Sequence, residues 1–261
     1  MDRQKLYILI TIVITLCLLE GCARVETQNA PPPRDPALFA ETRSRAETLF
    51  SQRQDLAKLR EAVELLASLR DPESRNYDVE WNFAKYNYFL GTHTPDEKEA
   101  EAAFEKGKQA AGIALRMEPQ KPDGYFWYGA NLGELSKMSP VTVGFKSVDD
   151  IQRAMNKVIE LQPEYQSASA YDVLAQVELA TSLRGGKAVK AVEYLEQGLA
   201  IEQGNANIRL HLAEAYLAVG RRTEAKKQLD HLLQMKPHPE YLAEHNQAVE
   251  AAKRLLAKRF D

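Results

Sequence analysis

The chain has 261 residues, of which 44% are hydrophobic and 27% charged, and its formal net charge is −3. This apolar share supports a packed core and excludes a chain that is disordered throughout. The near-balanced charge argues against a nucleic-acid-binding protein, which usually carries a basic excess. The two cysteines cannot form a disulfide framework or a cysteine-based zinc site.

The first residues are typical of a secretory signal peptide. Arg3 and Lys5 precede an uncharged run that extends from Leu6 to Leu19. At 1.5 Å per residue this run would span about 21 Å, which is shorter than the ~30 Å hydrocarbon core of a bilayer. A basic start followed by an apolar run of this length favours a cleaved signal over a permanent membrane span. We therefore predict a cleaved secretory signal peptide over residues 1–21.

The end of this segment, Leu19-Glu20-Gly21-Cys22, resembles the lipobox of bacterial lipoproteins. The resemblance implies that Cys22 is acylated and becomes the first residue after cleavage. An ordinary signal peptide, or a signal anchor with a chance cysteine, is the alternative. Residues 22–36 contain three consecutive prolines and would form an extended tether behind the lipid. Ala23, which stands where aspartate often marks retention in the inner membrane, favours the outer membrane.

From residue 37 onward the apolar residues recur at helical spacing, and period-2 alternation is absent. The clearest unit begins at Ala206. Counted from there, Ala213 and Ala225 occupy positions 8 and 20, and Tyr216 occupies position 11, of the 34-residue tetratricopeptide (TPR) repeat. Small residues at positions 8 and 20 let two antiparallel helices approach, and the tyrosine fills the groove between them. The spacing predicts an all-α fold, a TPR-like α-solenoid of antiparallel helix pairs.

Three earlier units align with this one through their closing residues, Pro119, Pro163 and Gln203. These four units predict four TPR-like pairs. A helical pair over 37–70 is predicted before them, and a last helix over 240–259 after them. A single repeat cannot bury its apolar face alone, so neighbouring repeats must stack. We therefore expect one continuous helical-repeat domain over residues 37–261.

Local signals predict where some of these helices begin and end. Thr94 and Glu97 have capping-box spacing, which predicts a helix start, and Gly220 suits a helix end. The turns within the first three pairs contain more residues than a strict repeat allows. These long turns are predicted around 89–99, 136–147 and 181–187.

Motifs for catalysis and for metal binding are absent from the sequence. Gly185-Gly186-Lys187 is not a phosphate-binding loop, because Thr181 replaces the first glycine of that motif and Ala188 its final Ser or Thr. The five histidines have no paired ligand spacing. We predict a protein that is not an enzyme and that needs no metal or cofactor.

The aromatic residues are the strongest candidates for a binding site. Four consecutive aromatic residues, Tyr125 to Tyr128, cover the whole circumference of a helix, so they cannot all face one core seam. Some would line a groove that binds a ligand or a partner, and packing between repeats is the alternative. The candidate binding residues are Trp81, Tyr88, Tyr125, Trp127, Tyr128, Asn131 and, in the long turn 136–147, Phe145.

Several segments, among them YDVEWNFAKYNYFLG, GYFWYGANLGEL and SKMSPVTVGFKSV, resemble the T-component lipoproteins of tripartite ATP-independent periplasmic (TRAP) transporters. The resemblance implies a periplasmic scaffold that forms trimers and contacts the substrate-binding protein of a TRAP transporter. The same middle segment is similar to the TPR-like domain of microtubule-dynamics regulators. A generic TPR lipoprotein for assembling an outer-membrane complex or a pilus is the alternative function.

Overall fold

The computed structural model describes residues 35–139, 144–181, 187–237 and 241–260. The predicted signal peptide, Cys22 and the tether up to residue 34 lie outside the described residues. The chain divides into two units after Ala40. In the first, the carboxylate of Asp35 accepts a hydrogen bond from the backbone N–H of Ala37 at 2.9 Å and caps the helix that follows. The side chains of the candidate functional site belong to the second unit, Glu41–Asp261.

The described residues form eleven α-helices and no strand, which confirms the predicted all-α fold. The helices are α1 (Pro36–Phe50), α2 (Leu56–Leu69), α3 (Tyr77–His93), α4 (Glu97–Met117), α5 (Pro122–Met138), α6 (Phe145–Leu161), α7 (Tyr165–Ala180), α8 (Ala188–Ile201), α9 (Ala206–Ala218), α10 (Arg222–Gln234) and α11 (Leu242–Arg259).

The helices pack as consecutive pairs, with α3 against α4, α5 against α6, α7 against α8 and α9 against α10. The first helix of each pair also contacts the first helix of the next, so α3, α5, α7 and α9 lie side by side. The last helix, α11, packs on α9 and α10 and continues this series. We call the series α3, α5, α7, α9 and α11 the A row. Consecutive pairs of this kind are the predicted solenoid of helix pairs.

The pair α9–α10 follows the predicted TPR spacing. Ala213 and Ala225 are both fully buried, and Tyr216 is 5% exposed between the two helices. Gly220 adopts φ +79°, a left-handed conformation that favours glycine, and ends α9 as predicted. The backbone N–H of Arg221 donates to the carbonyl of Tyr216 at 2.8 Å, so an orphan carbonyl at the helix end is satisfied.

Two predictions about the turn before α4 are wrong. The helix α3 continues to His93 and α4 already begins at Glu97, so the extra residues around 89–99 lengthen the helices rather than the turn. The N-cap of α4 is Asp96, whose carboxylate accepts from the N–H groups of Lys98 and Glu99, and not Thr94. Asp96 is nearer the helix and offers an acidic acceptor to the helix N-terminus.

The other two long turns are described only in part. Residues 140–143 and 182–186 lie outside the described residues. The helix α6 begins at Phe145, inside the turn predicted over 136–147.

Polar side chains tie neighbouring pairs together inside the stack. The hydroxyls of Tyr77 and Tyr165 donate to the two carboxylate oxygens of Asp123 at 2.7 and 2.8 Å. Burial raises the pKa of both tyrosines, and the hydrogen bond and charge of Asp123 raise it further. Through Asp123 at its first turn, α5 is thereby joined to both α3 and α7.

Backbone geometry is unusual at the start of α7. Gln166, Ser167 and Ala168 have φ values of 48°, 55° and 61°, although none of them is glycine. The left-handed conformation costs such residues about 1–2 kcal/mol each. The side chain of Asn205 donates to the carbonyl of Ser167 at 2.8 Å and helps to hold this turn.

Within the part of the chain that the structure describes, no helix combines the length and the apolar character that a membrane span requires.

Candidate functional site

Aromatic residues of α1, α3 and α5 form one continuous cluster. The ring of Phe50 stacks on that of Tyr86 with centroids 3.9 Å apart, and Phe89 lies edge-on to Phe50 at 5.3 Å. The ring centroid of Trp127 lies 5.6 Å from that of Tyr88 and 6.2 Å from that of Phe89. The aromatic residues that the sequence concentrates on two helices therefore meet across neighbouring pairs, where offset and edge-on ring contacts add to the burial of apolar area.

Two of the candidate binding residues are buried within this packing. Trp127 is 3% exposed and Asn131 is fully buried. The amide nitrogen of Asn131 donates to the carbonyl of Trp127 at 2.7 Å and to that of Ala84, on α3, at 3.3 Å. Gly107 on α4 lies so close to this amide that a Cβ on the glycine would overlap it. Asn131 therefore joins three helices by packing and hydrogen bonding, and a ligand could reach it only if these helices separated.

The other candidates on α3 and α5 are partly accessible. Tyr88, Tyr125 and Tyr128 are all half-buried. The hydroxyl of Tyr125 donates to a backbone carbonyl of the loop before α5 at 3.3 Å. Phe145 opens α6, but its side chain, like the whole of Cys22, lies outside the described part of the structure. A ligand- or partner-binding role for these residues stays a prediction.

Trp81, the remaining candidate, lines a cleft of about 470 Å³ between α1 and α3. The cleft has an aromatic floor, a half-exposed indole on one wall and charged residues of both signs around it. Its lining includes Arg43, Glu47, Phe50, Arg53, Trp81 and Lys85. The combination of apolar rings and charged rims is typical of surfaces that bind other proteins.

The charged residues of this cleft are organised around Asp78. Arg43 lies 4.0 Å from the Asp78 carboxylate through Nη1 and 3.4 Å from that of Glu47 through Nε. The indole N–H of Trp81 donates to Asp78 at 3.2 Å, and the ammonium of Lys85 lies 5.2 Å from the centroid of the Phe50 ring. The indole is thus fixed by its hydrogen bond while its ring stays half-exposed, which preorganises it for contact.

Sequence reasoning identified only Trp81 at this cleft. The other cleft residues of α3 could have been found from their spacing. Positions 78, 81, 82 and 85 recur at intervals of three and four residues and therefore share one face of the helix. The residues that α1 contributes, Arg43 and Phe50, could not be predicted. The sequence does not show that α1 lies against α3, and only the structure does.

A second group of polar residues lies on the A row, where α7 meets α9. The imidazole Nδ1 of His211 lies 2.6 Å from the carboxylate of Asp172, so the ring donates to it. The amide of Gln176 donates to the other oxygen of Asp172 at 3.1 Å. Burial of the ring lowers the pKa of His211, but the charge and hydrogen bond of Asp172 outweigh that effect, and the pKa is raised.

The pKa of Tyr88, in the aromatic cluster, is also shifted. Burial raises the pKa of the Tyr88 hydroxyl, and the carboxylates of Glu134, Asp172 and Glu244 raise it further. These acids belong to α5, α7 and α11.

The described residues include no group of three or more histidine, cysteine, aspartate or glutamate side chains that could hold a metal ion.

Comparison with known proteins places the fold. The family model "Regulator of microtubule dynamics protein 1-3" matches residues 43–171, and a tetratricopeptide-repeat model matches residues 182–258. A thermophilic TPR protein of Thermus thermophilus superposes with a TM-score of 0.60 at 20% identity, over 84% of this chain and 99% of its own. The chain therefore has the tetratricopeptide-repeat (TPR) fold.

Two further solved structures have lower TM-scores. PilF of Pseudomonas aeruginosa has a TM-score of 0.49 at 17% identity, over 84% of this chain and 92% of its own. A structure of MamA has a TM-score of 0.46 at 14% identity, over 77% of this chain and 92% of its own. No curated protein matches the sequence. The match of the microtubule-regulator model covers the segment in which that similarity was predicted from sequence.

The TPR fold typically serves as a scaffold for protein–protein interaction. It therefore suggests that this chain has a protein partner. It offers an extended surface built from consecutive helix pairs rather than an enclosed reaction site. Among the described residues, the cleft between α1 and α3 combines aromatic and charged side chains.

Proposed function

We propose that this TPR protein is a lipid-anchored scaffold of the bacterial envelope that faces the periplasm. The support for the anchor is the lipobox-like sequence at Cys22, and the Pro-rich residues 22–36 would hold the helical domain away from the membrane. The residue after the cysteine, Ala23, favours the outer membrane. A single acyl chain binds membranes only marginally, so a stable anchor requires the multiple acylation that the lipobox resemblance implies.

We further propose that the scaffold serves a TRAP-type uptake system by binding its substrate-binding protein. The support is the resemblance of the aromatic segments of α3 and α5 to the T-component lipoproteins. The observation that carries the proposal is the cleft between α1 and α3, where the fixed indole of Trp81 stands beside Arg43 and Lys85. An aromatic anchor beside cationic side chains is the composition that dominates the energy of many protein interfaces.

The resemblance also implies a homotrimer. Each protomer would then present its own cleft to one substrate-binding protein, and the binding stoichiometry would be one to one. Native mass spectrometry of the purified lipid-free domain would measure the number of protomers directly.

The anchor is tested by replacing Cys22 with serine. We expect the C22S variant to leave the membrane fraction, because acylation needs the thiol. The matched control is Cys17→Ser, which lies in the segment that cleavage would remove and should leave membrane association unchanged. A C22S protein that stays in the membrane fraction would contradict the lipoprotein assignment.

The partner is tested by cross-linking in intact cells, followed by mild solubilisation and mass spectrometry of proteins held by the native chain. The proposal expects a periplasmic substrate-binding protein, enriched over a sample from the Trp81→Ala variant. Recovery of pilus or barrel-assembly components in its place would support the alternative scaffold function and count against the TRAP assignment.

A further inference from the structure

Three consecutive residues at the start of α7 have the opposite hand to the rest of the helix. Gln166, Ser167 and Ala168 have φ values of 48°, 55° and 61° and ψ values of 48°, 44° and 22°. None of them is glycine, so each brings its Cβ close to the following carbonyl oxygen, which is unfavourable. Residues 166–168 therefore form one strained turn of left-handed helix, which we name the left-handed turn.

The hydrogen bonds within this segment do not explain its hand. The backbone N–H of Ala168 donates to the carbonyl of Glu164 at 3.1 Å, and the hydroxyl of Ser169 donates to the carbonyl of Gln166 at 2.6 Å. Bonds with these spacings of four and three residues also form in ordinary right-handed helices. The left-handed form must therefore be imposed by contacts with other parts of the chain.

One such contact joins the left-handed turn to α5 through the residue that precedes it. The hydroxyl of Tyr165 donates to Oδ1 of Asp123 at 2.8 Å, and its ring centroid lies 5.4 Å from that of Phe126. Hydrogen bonds to carboxylates are among the strong ones in proteins. A right-handed conformation at residues 166–168 would change the position of Tyr165 relative to the rest of α7. The contact with Asp123 consequently favours the left-handed form.

A second contact joins the left-handed turn to the start of α9. The side-chain amide of Asn205 donates to the carbonyl of Ser167 at 2.8 Å. The oxygen of the same side chain accepts from the backbone N–H of Ile208 at 3.1 Å and caps α9. Ala168 is fully buried in a hydrophobic core that includes residues of α8 and α9. The turn is thus held on one side by α5 and on the other by α9.

These two contacts act on the same strained residues. The strain of three left-handed residues exceeds what one ordinary hydrogen bond contributes to stability. One contact alone is therefore too weak to maintain the turn, whereas both together maintain it. Once the loss of the first contact has let the turn relax, the loss of the second has less left to remove.

We propose that the left-handed turn couples α5 to α9. The contacts of Tyr165 with Asp123 and of Asn205 with Ser167 jointly impose the strained form, and loss of either one lets residues 166–168 relax to right-handed helix. A change at one of these two helices then reaches the other through the turn. The coupling is a property of the chain itself and does not depend on which partner the scaffold binds.

The coupling is tested with a double-variant cycle, in which urea unfolding of the full-length chain gives the folding equilibrium constant. Tyr165→Phe removes the bond to Asp123. Asn205→Ser removes the amide that binds Ser167 but keeps an acceptor that can cap α9. The loss in the double variant should be at least about fivefold smaller than the product of the two single losses, because the turn has already relaxed in either single variant.

The matched control cycle combines Asn205→Ser with Tyr77→Phe. Tyr77 donates to the other oxygen of Asp123 at 2.7 Å, but it lies on α3, away from the left-handed turn in the chain. The two losses in this cycle should multiply to within about twofold. Losses that multiply in both cycles, or that depart equally from multiplication in both, would overturn the coupling.

Glycine at position 167 tests the strain and its relaxation. Ser167→Gly should raise the folding equilibrium constant about threefold, since glycine adopts positive φ without a Cβ. The matched control, Ser44→Gly, changes an exposed serine within α1 and should lower the constant.

The sign of the Ser167→Gly effect should reverse in the Asn205→Ser variant, where the turn has relaxed and glycine weakens a right-handed helix. This reversal supports the proposal even if Tyr165→Phe leaves too little folded protein to measure. A Ser167→Gly variant that is destabilised like Ser44→Gly would show that the turn is not strained. Equal stabilisation by glycine with and without Asn205→Ser would show that the turn does not relax. Either result would overturn the proposal.

Discussion

The imidazole of His211 lies 2.6 Å from the carboxylate of Asp172, and this contact joins α9 to α7 across the A row. Because the carboxylate stabilises the imidazolium, the pKa of His211 is raised in the folded protein. We predict that Asp172→Asn lowers the pKa of His211, as measured by NMR titration of the ring protons. The control is Asp230→Asn, which removes an exposed partner of Lys226 on α10 and should leave His211 unchanged.

The same pair sets the direction of a pH effect on stability. A pKa that is higher in the folded than in the unfolded state stabilises the fold below about pH 6.5, and that contribution is lost as the pH rises through the folded pKa. The free energy of unfolding that Asp172→Asn removes should therefore be larger at about pH 6 than at about pH 9. If the loss is the same at both pH values, the contact with Asp172 does not favour the protonated form of His211, and the prediction is contradicted.

The Tyr77–Asp123–Tyr165 bridge gives a prediction about stability. Tyr165→Phe removes a hydrogen bond to a carboxylate from a residue that is 9% exposed. We expect a loss of about 1.5–3 kcal/mol in the free energy of unfolding, measured with urea. Tyr125→Phe is the matched control, since its hydroxyl donates only at 3.3 Å and near the surface. Tyr125→Phe should lower the free energy of unfolding by less than about 0.5 kcal/mol. Equal losses in Tyr165→Phe and Tyr125→Phe would contradict the stabilising role of the bridge.

Close helix packing gives a prediction about two glycines. A Cβ at Gly107 would overlap the buried amide of Asn131, whereas a Cβ at Gly133 would meet nothing within 4 Å. Gly107→Ala should therefore destabilise the protein by about 1–3 kcal/mol. Gly133→Ala should stabilise it by about 0.5–1 kcal/mol, since alanine favours helix. Thermal unfolding of both variants shows whether their changes in stability have opposite signs. Stabilisation by Gly107→Ala would contradict the close packing of Gly107 against Asn131.

The fold was predictable wherever local spacing determines it. The burial of Ala213, Tyr216 and Ala225 and the left-handed Gly220 follow from a repeat whose residues interact within one helix pair. Helix ends were less predictable, because Thr94 and Asp96 are both good capping residues and only the backbone path selects Asp96.

The site was harder to predict because its parts are far apart in sequence. The run Tyr125–Tyr128 correctly indicated that aromatic residues would face several directions, but sequence could not show that Trp127 points into the packing while Trp81 points into a cleft. The pairing of Arg53 with Glu244 spans 191 positions and has no local pattern. Such contacts depend on how consecutive pairs stack, which single-repeat spacing does not determine.

We propose above that the cleft between α1 and α3 binds the substrate-binding protein of a TRAP-type transporter. The most direct test places a photo-cross-linking amino acid at Trp81 in the cell-bound protein, with Lys226 on α10 as the control position. Lys226 is half-exposed and outside the A row. The account predicts a cross-link from position 81, but not from position 226, to a periplasmic substrate-binding protein. The same yield from both positions, or a cross-link from position 81 only to other classes of protein, would contradict it.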